Sequence, residues 1–179
     1  MEPTFEPASA ADVLLIRDLA ERIWYEGYSS MLSREQIRYM LDWMYAPHKL
    51  AAEIERGVSY LLVHHERQPV GYLAWELLDQ SVAHLHKLYL LPELHGQGIG
   101  RTMLERFLTD ARAAGAARAE LRVNKANARA QRAYARAGFK IVESISTPIG
   151  AGFVMDDYVM LLKFRGPDCR SDTSVPGCE

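Results

Sequence analysis

The spacing of apolar residues over the first third of the chain predicts helices. Apolar side chains recur every three or four positions over residues 13–23 and again over residues 37–44, as they do on the buried face of a helix. Ser9 is followed three residues later by Asp12, a pairing typical of the first turn of a helix, and Ser33 opens the second stripe in the same way. We therefore expect three helices, over residues 10–24, from residue 33 to near residue 47, and over residues 49–56.

Beyond residue 57 the pattern changes to short apolar runs separated by turns, which predicts strands. Two more helical stripes interrupt these runs; the first follows a glycine-rich turn and stops near Gly115, and the second precedes Gly138. This order predicts one α/β domain with a mixed sheet, over residues 1–164. The expected strands cover residues 3–8, 59–65, 70–78, 82–90, 119–123, 140–147 and 153–164.

Length and charge narrow the class of protein. The chain has 179 residues, of which 49% are hydrophobic and 25% charged, as in one soluble globular domain. The formal net charge of −2 does not favour nucleic acid or an anionic membrane as a partner. No stretch reaches the ~20 apolar residues of a membrane span, and the first residues lack the basic and apolar regions of a signal peptide. We expect a cytoplasmic protein, with monomer and homodimer both open.

Residues 165–179 differ in composition from the rest of the chain. They are polar and contain Pro, Gly, Ser and Asp, which predicts a disordered tail. Cys169 and Cys178, the two cysteines of the chain, both lie in this tail. A disulfide between them would constrain the tail alone, so two free thiols in a reducing compartment are the favoured interpretation.

A glycine-rich turn is the most informative local feature. Residues 95–100 read His-Gly-Gln-Gly-Ile-Gly and lie between the apolar run of residues 85–91 and a helical stripe. Glycine lets backbone N–H groups approach a ligand closely, and the start of a helix adds unpaired N–H donors with a partial positive charge. A strand, a glycine turn and a helix start therefore predict a binding site for a phosphate or pyrophosphate.

Two common phosphate-binding sites fit this turn poorly. A dinucleotide-binding turn needs a third glycine where Arg101 stands, and it follows the first strand of its domain, whereas several strands precede this turn. A P-loop ends in Gly-Lys-Ser or Gly-Lys-Thr, and neither is present. Both classes of site are therefore disfavoured.

Residues 88–100 resemble the acetyl-CoA-binding motif Q/R-x-x-G-x-G/A of the GCN5-related N-acetyltransferase (GNAT) family. His95 departs from that motif, because the family has Arg or Gln at its position. The resemblance implies the GNAT fold, a mixed and mostly antiparallel sheet of about seven strands flanked by helices, with acetyl-CoA as cofactor and CoA as product. The members of the family's second motif are, in this chain, Asn127, Ala130, Tyr134 and Gly138-Phe139.

The resemblance also implies which residues hold acetyl-CoA. Backbone N–H groups of the glycine turn would bind the pyrophosphate, and the backbone of the preceding strand would pair with the pantetheine arm, while the leucine side chains of that strand belong to the core. Asn127 either contacts the cofactor or caps its own helix. Arg129 and Arg132 either reach the 3′-phosphate or form a solvated helix face. The residues assigned to the cofactor are Leu88, Tyr89, Leu90, Gly96, Gln97, Gly98, Ile99, Gly100, Arg101 and Asn127.

Three side chains are candidates for the proton transfers of amine acetylation. Tyr134 matches the general acid of the family, since a phenol with a pKa near ~10 can protonate a thiolate whose conjugate acid has a pKa near ~8.5. His84 and His86 lie two apart on an expected strand and so share a face, where neutral imidazoles can accept the amine proton. Their strand resembles that of the serotonin (arylalkylamine) N-acetyltransferases. Glu76 is the reserve base, and the alternative for the histidines is a pair of hydrogen-bonded side chains on a sheet face.

In the GNAT family the acceptor lies between the first two helices and the last strand hairpin. Tyr25 and Tyr28, with Trp24, fall in the first region, and Asp156 with Asp157 in the second. Aromatic rings beside carboxylates suit a primary amine with an apolar or cationic body. The expected function is acetyl transfer, without a metal ion, from acetyl-CoA to a small arylalkylamine-like or polyamine-like amine by direct attack in a ternary complex. A peptide or protein amine as acceptor and a non-catalytic CoA-binding module are the alternatives.

Overall fold

The structure is a computed structural model and describes residues 2–78 and 81–164. The expected tail, with Cys169 and Cys178, lies outside the described residues. The α-helices are α1 (Val13–Gly27), α2 (Arg34–Met44), α3 (Pro47–Glu55), α4 (Ile99–Ala113) and α5 (Ala128–Arg136). The strands are β1 (Thr4–Pro7), β2 (Ser59–His65), β3 (Gln68–Leu78), β4 (Val82–Leu90), β5 (Arg118–Asn124), β6 (Lys140–Gly150) and β7 (Phe153–Lys163).

The seven strands form one sheet in the order β1-β2-β3-β4-β5-β7-β6. β4 and β5 run parallel, and every other neighbouring pair is antiparallel. The parallel pair is connected through α4, because parallel strands need a crossover longer than a hairpin. The expected fold class, a mixed and mostly antiparallel sheet flanked by helices, is therefore confirmed.

Aromatic side chains anchor helices to both faces of the sheet. Tyr72 on β3 and Tyr89 on β4 are register partners, and the ring of Tyr89 lies 5.7 Å from that of Trp24 on α1. Trp75 faces the other side of β3, because it lies an odd number of residues from Tyr72. Its ring packs at 5.8 Å against Phe107 of α4, so α1 and α4 cover opposite faces.

The helix boundaries refine two expectations. Ser9 and Asp12 form the expected capping box, in which the Ser9 N–H donates to Asp12 Oδ2 at 2.8 Å, but they open a single 3₁₀ turn over Ala10–Asp12 that leads into α1. α2 ends at Met44, and Pro47 begins α3 rather than ending α2, because the fixed φ of proline suits the first turn of a helix. Within residues 2–78 and 81–164, no helix is long and apolar enough to cross a membrane.

β4 and β5 separate part-way along their length. Their parallel register ends at Leu85, opposite Leu121. β4 continues to Leu90 along β3 alone, and β5 continues to Asn124 along β7 alone. A gap therefore opens in the middle of the sheet, and the backbone edge of β4 beyond Leu85 forms one side of it.

Candidate active site

A cavity of about 1170 Å³ occupies the gap between β4 and β5 and extends to α1, α2, α4 and α5. It brings together most of the residues predicted from the sequence. Those that line it are Tyr28, His84, His86, Leu88, Tyr89, Leu90, Gly96, Gly98, Gly100, Arg101, Asn127 and Tyr134. The predicted residues outside the lining are Tyr25, Glu76, Gln97, Ile99 and Asp156.

The glycine turn shapes the cavity at the start of α4. Gly96 and Gly98 have φ of 83° and 87°, which residues with a side chain adopt only at an energetic cost. The Gly98 carbonyl accepts from the N–H groups of Arg101 at 3.0 Å and Thr102 at 3.1 Å. The backbone N–H of Arg101 is thus already bonded. The backbone N–H groups of the preceding turn residues are the ones that an anion could bind. Ile99 contributes only backbone, because its side chain is buried in the core.

His95, the residue that departs from the family motif, links three parts of the site. In the tautomer that satisfies both contacts, its Nε2–H donates to the Leu90 carbonyl at 3.1 Å and its Nδ1 accepts from Arg129 on α5. Burial, together with the Arg129 guanidinium, lowers the pKa of His95, so the imidazole stays neutral as these contacts require. The neighbouring Gln97 side chain donates to the Glu93 carbonyl at 3.2 Å. His95 therefore ties the end of β4 to α5, and Arg129 is not simply solvated.

The last residues of β4 divide their roles between side chain and backbone. Leu90 is buried, and Leu88 packs against the core. The Tyr89 ring lies in an aromatic cluster with Trp24 and Tyr28, at centroid distances of 5.7 and 6.2 Å. These side chains therefore belong to the core, and the backbone along the gap is what this segment presents to a ligand.

Tyr134 lines the cavity from α5. Its ring packs edge-on against Phe139 at a centroid distance of 6.0 Å. Burial, and to a lesser degree the nearby Tyr28 phenol, raises the pKa of Tyr134 above its ordinary value. The hydroxyl therefore keeps its proton at neutral pH, which is the state that a proton donor needs.

Asn127 connects α5 to α1 across the cavity. Its Oδ1 accepts from the Ala130 N–H at 3.1 Å, so it caps its own helix, which was one of its two expected roles. Its Nδ2 donates to the Tyr28 hydroxyl at 3.4 Å. Burial raises the pKa of Tyr28 to about 12, and the Tyr28 ring stacks on Trp24 at a centroid distance of 5.1 Å. Tyr28 and Trp24 thus form a rigid aromatic side of the cavity.

His84 and His86 form a pair on one face of the sheet. Their ring centroids are 4.7 Å apart. His84 Nδ1 lies 3.2 Å from Glu120 Oε1 on β5, and His86 Nε2 lies 2.8 Å from Glu76 Oε1 on β3. Burial and the neighbouring His86 lower the pKa of His84, against the opposing effect of Glu120. His84 is therefore neutral at pH 7 and able to accept a proton, whereas Glu76 contacts His86 and not the cavity.

A β-bulge brings a lysine to the same face. Glu76 lies opposite His84 and Ala74 lies opposite Lys87, so β4 has one extra residue, His86, between the two pairs. Because Glu76 and Ala74 share a face of β3, their partners His84 and Lys87 share a face of β4. Simple alternation along β4 would have placed Lys87 on the opposite face.

The buried Lys87 and the partly exposed Glu53 form an ion pair that the sequence patterns did not reveal. Lys87 is 5% exposed, and its Nζ donates to Glu53 Oε2 on α3 at 2.7 Å. The Tyr60 hydroxyl donates to the same oxygen. Burial lowers the pKa of Lys87, although Glu53 opposes this. A lysine that has apolar residues on both sides within its strand was the available signal for Lys87. The sequence held no signal for Glu120, because its contact with His84 depends on the register between β4 and β5.

The acceptor side of the cavity differs from the expectation at two residues. Tyr25 lies outside the lining. Asp156 is exposed and accepts from Lys125 and Ser146. Asp157 lines the cavity instead, is 5% exposed, and has a pKa raised by burial. Successive residues of β7 face opposite sides of the sheet, so only one of the two aspartates can face the cavity.

Comparison with known proteins identifies the family. The model of the acetyltransferase (GNAT) family matches residues 15–139 of the 179. The chain belongs to the GNAT acetyltransferase family. The matched segment contains the glycine turn, the histidine pair and Tyr134, and it ends before β6 and β7. The family match therefore covers the side of the cavity where the motifs lie and leaves the last hairpin outside it.

The relatives leave the acceptor open. An uncharacterized N-acetyltransferase of Mycobacterium tuberculosis is 41% identical over 103 residues, so the match spans 58% of this chain and only 65% of that protein. A spermidine N(1)-acetyltransferase of Thermoplasma acidophilum is 26% identical over 83% of this chain and 92% of that protein. The structure of the PaiA N-acetyltransferase of T. acidophilum in complex with coenzyme A has a TM-score of 0.78 at 23% identity, covering 92% of this chain and 100% of that one. The resemblance to serotonin N-acetyltransferases stays a prediction.

Proposed function

We propose that the protein is an acetyl-CoA-dependent N-acetyltransferase that acetylates a primary amine of a small molecule by direct attack in a ternary complex. One observation carries the proposal: a single cavity at the gap between β4 and β5 joins a glycine turn at a helix start, a phenol and a pair of histidines. A CoA-binding module without activity has no use for the phenol or the histidines. Both cysteines follow the last strand in sequence, which favours direct attack over transfer through a cysteine.

The residues around the gap fit acetyl-CoA. The N–H groups at the start of α4 suit a pyrophosphate, and the backbone edge of β4 along residues 88–90 suits a pantetheine arm, whose amides can pair as an added strand does. Acetyl-CoA supplies the activated acetyl group as a thioester. The arginines that line the cavity from α4 and α5, where they can offer positive charge to the phosphates of acetyl-CoA, are Arg101, Arg129, Arg132 and Arg136.

The histidine pair is the proposed route for the amine proton. A bound alkylamine arrives protonated at neutral pH, because its pKa is near ~10.4. With Nδ1 of His84 bonded to Glu120, Nε2 is left to accept that proton, and the carboxylate stabilises the resulting imidazolium. His86, bonded to Glu76, extends the route towards solvent, since both side chains are partly exposed.

Tyr134 is the proposed donor to the departing thiolate. Its hydroxyl proton passes to the sulfur as the carbon–sulfur bond breaks. Burial raises the pKa of a thiol for the same reason that it raises the pKa of the phenol, since both anions lose hydration. The proton transfer therefore does not become more costly merely because this side of the cavity is buried.

Thiol release from acetyl-CoA, followed against a panel of primary amines, tests the proposal. The panel contains arylalkylamines, spermidine and a peptide with a free N-terminus. Spermidine is included because it appears in the name of one relative. We expect release above the hydrolysis background with at least one small amine, and saturable binding of acetyl-CoA by calorimetry. Binding without release would indicate a CoA-binding module, and release with the peptide alone would identify a peptide acceptor.

A further inference from the structure

We propose that this cavity selects an apolar amine with a single nitrogen, whose ammonium form Asp157 holds before its proton leaves towards the histidines, over a polyamine. The inference rests on the proposed function and deepens it, because neither the family match nor the relatives define the acceptor of this chain. It is carried by the acceptor side, which is the part of the cavity lined by Leu32, Gln36, Met40, Met44, Met155 and Asp157.

Asp157 supplies a carboxylate inside the cavity. It is 5% exposed and lines the cavity from β7, opposite Asn124 in the register with β5. Within the part of the chain that the structure describes, no group donates a hydrogen bond to this carboxylate, whereas Asp156 is held by Lys125 and Ser146. Arg122 of β5, which also lines the cavity, acts on this carboxylate through its charge. An ammonium group that enters gains a charge-assisted hydrogen bond that no protein donor occupies.

Apolar side chains form the remainder of the acceptor side. Met40 and Met44 line it from α2, and Leu32 lines it from the segment before that helix. Met155 lies two residues from Asp157 on β7 and so shares its face. Methionine side chains are flexible and adapt to irregular apolar ligands. Gln36 of α2 also lines this surface, and its amide donates to the Val154 carbonyl at 3.1 Å. The surface suits an aryl or alkyl body and offers no carboxylate to a second charge.

The charges of the cavity disfavour a polyamine. Of the described residues that line it, only Asp157 and Glu105 carry a carboxylate. Glu105 lies on α4 and is bonded to Arg101, at the glycine-turn end. Lys87 and Arg122 add positive charge to the lining near the histidines. A second ammonium group of a polyamine would therefore find no second carboxylate on this side of the cavity, and would lose hydration that no opposite charge replaces.

Steady-state kinetics with phenethylamine, hexylamine and spermidine at saturating acetyl-CoA test the inference. We expect kcat/KM for the two monoamines to exceed that for spermidine by at least about tenfold. This is the effect expected when one ammonium group of the bound spermidine is buried without a partner. Asp157→Asn should raise the KM for the monoamines about tenfold to hundredfold through the loss of a charge-assisted hydrogen bond. The KM for acetyl-CoA should not change. Asp156→Asn, on the other face of the same strand, is the matched control and should leave both constants unchanged.

A second variant makes the test independent of Asp157. Met44→Glu adds a carboxylate to the apolar side and should raise kcat/KM for spermidine relative to hexylamine. A preference of the unaltered protein for spermidine, or equal effects of Asp157→Asn and Asp156→Asn on the KM for the amine, would overturn the inference and leave the acetyltransferase proposal intact. If no amine released thiol, the acetyltransferase proposal itself would be wrong.

Discussion

His84 and His86 lie side by side on β4 with ring centroids 4.7 Å apart, and each is bonded on its outer side to a glutamate of a neighbouring strand. The row of Glu76, His86, His84 and Glu120 crosses β3, β4 and β5 where the gap in the sheet opens. Burial and then the neighbouring His86 lower the pKa of His84, because two imidazolium rings this close repel each other. A proton on His86 therefore disfavours a second proton on His84.

The pH profile of kcat/KM tests the proposed route of the amine proton through this pair. We expect activity to fall on the acid side as His84 becomes protonated, below pH ~6.5 because its pKa is lowered. In the His84→Ala/His86→Ala double variant this acid limb should disappear, and the plateau rate should fall by about 10²-fold. Glu120→Gln removes the carboxylate that raises the pKa of His84, so its limb should move to lower pH. An unchanged profile in the double variant would assign the base to another residue.

Replacing Tyr134 by phenylalanine tests the proton donor. Tyr134→Phe should lower kcat by about 10²-fold or more, as for the loss of a general acid. The KM for acetyl-CoA and the thermal stability should stay nearly constant, because the ring keeps its contact with Phe139. Tyr25→Phe, at a tyrosine outside the cavity lining, is the matched control in the same thiol-release assay. An unaltered kcat in Tyr134→Phe would remove the phenol from the mechanism.

Alanine variants of two glycines at opposite ends of α4 can distinguish an effect of backbone strain from an effect on ligand binding. Gly98 and Gly115 have φ of 87° and 83°, and a Cβ at either would have no neighbour within 4 Å. Alanine at either position should lower the free energy of unfolding by about 1–2 kcal/mol, measured in urea. Only Gly98→Ala should also raise the KM for acetyl-CoA, because Gly98 lies at the proposed phosphate site. Equal KM values in the two variants would argue against a binding role for the turn.

The ion pair of Lys87 and Glu53 predicts that removing either partner lowers the free energy of unfolding by a different amount. Glu53→Gln leaves the buried ammonium without its partner and should lower the free energy of unfolding by about 3 kcal/mol. Lys87→Met removes that charge and leaves a Glu53 side chain that is 26% exposed, so its cost should be smaller. Urea unfolding should find the double variant more stable than Glu53→Gln alone. A double variant that loses the sum of both single effects would show that the two residues are not coupled.

The two sides of the cavity were not equally predictable from sequence. The glycine turn and the capping residue Asn127 depend on neighbours within their own helix start, so local spacing was enough to find them. Tyr134 was found through the resemblance to the family's second motif, whose members lie close together in the chain. Asp156 and Asp157 could not be told apart in this way, because alternation places one of them on each face without saying which face is inside. The register of β7 with β5 and β6 decides it, and that register joins segments far apart in the chain.

The sequence by itself determined the order of helices and strands, the position of the glycine turn and the shared face of His84 and His86. These features depend on the geometry of residues that are neighbours in the chain. Tertiary structure alone decided that β4 and β5 part after Leu85, that a bulge brings Lys87 to the face of His84, and that Asp157 faces the cavity. Strand register and strand separation follow from the packing of distant segments against one another, and no local pattern of apolar and polar residues records that packing.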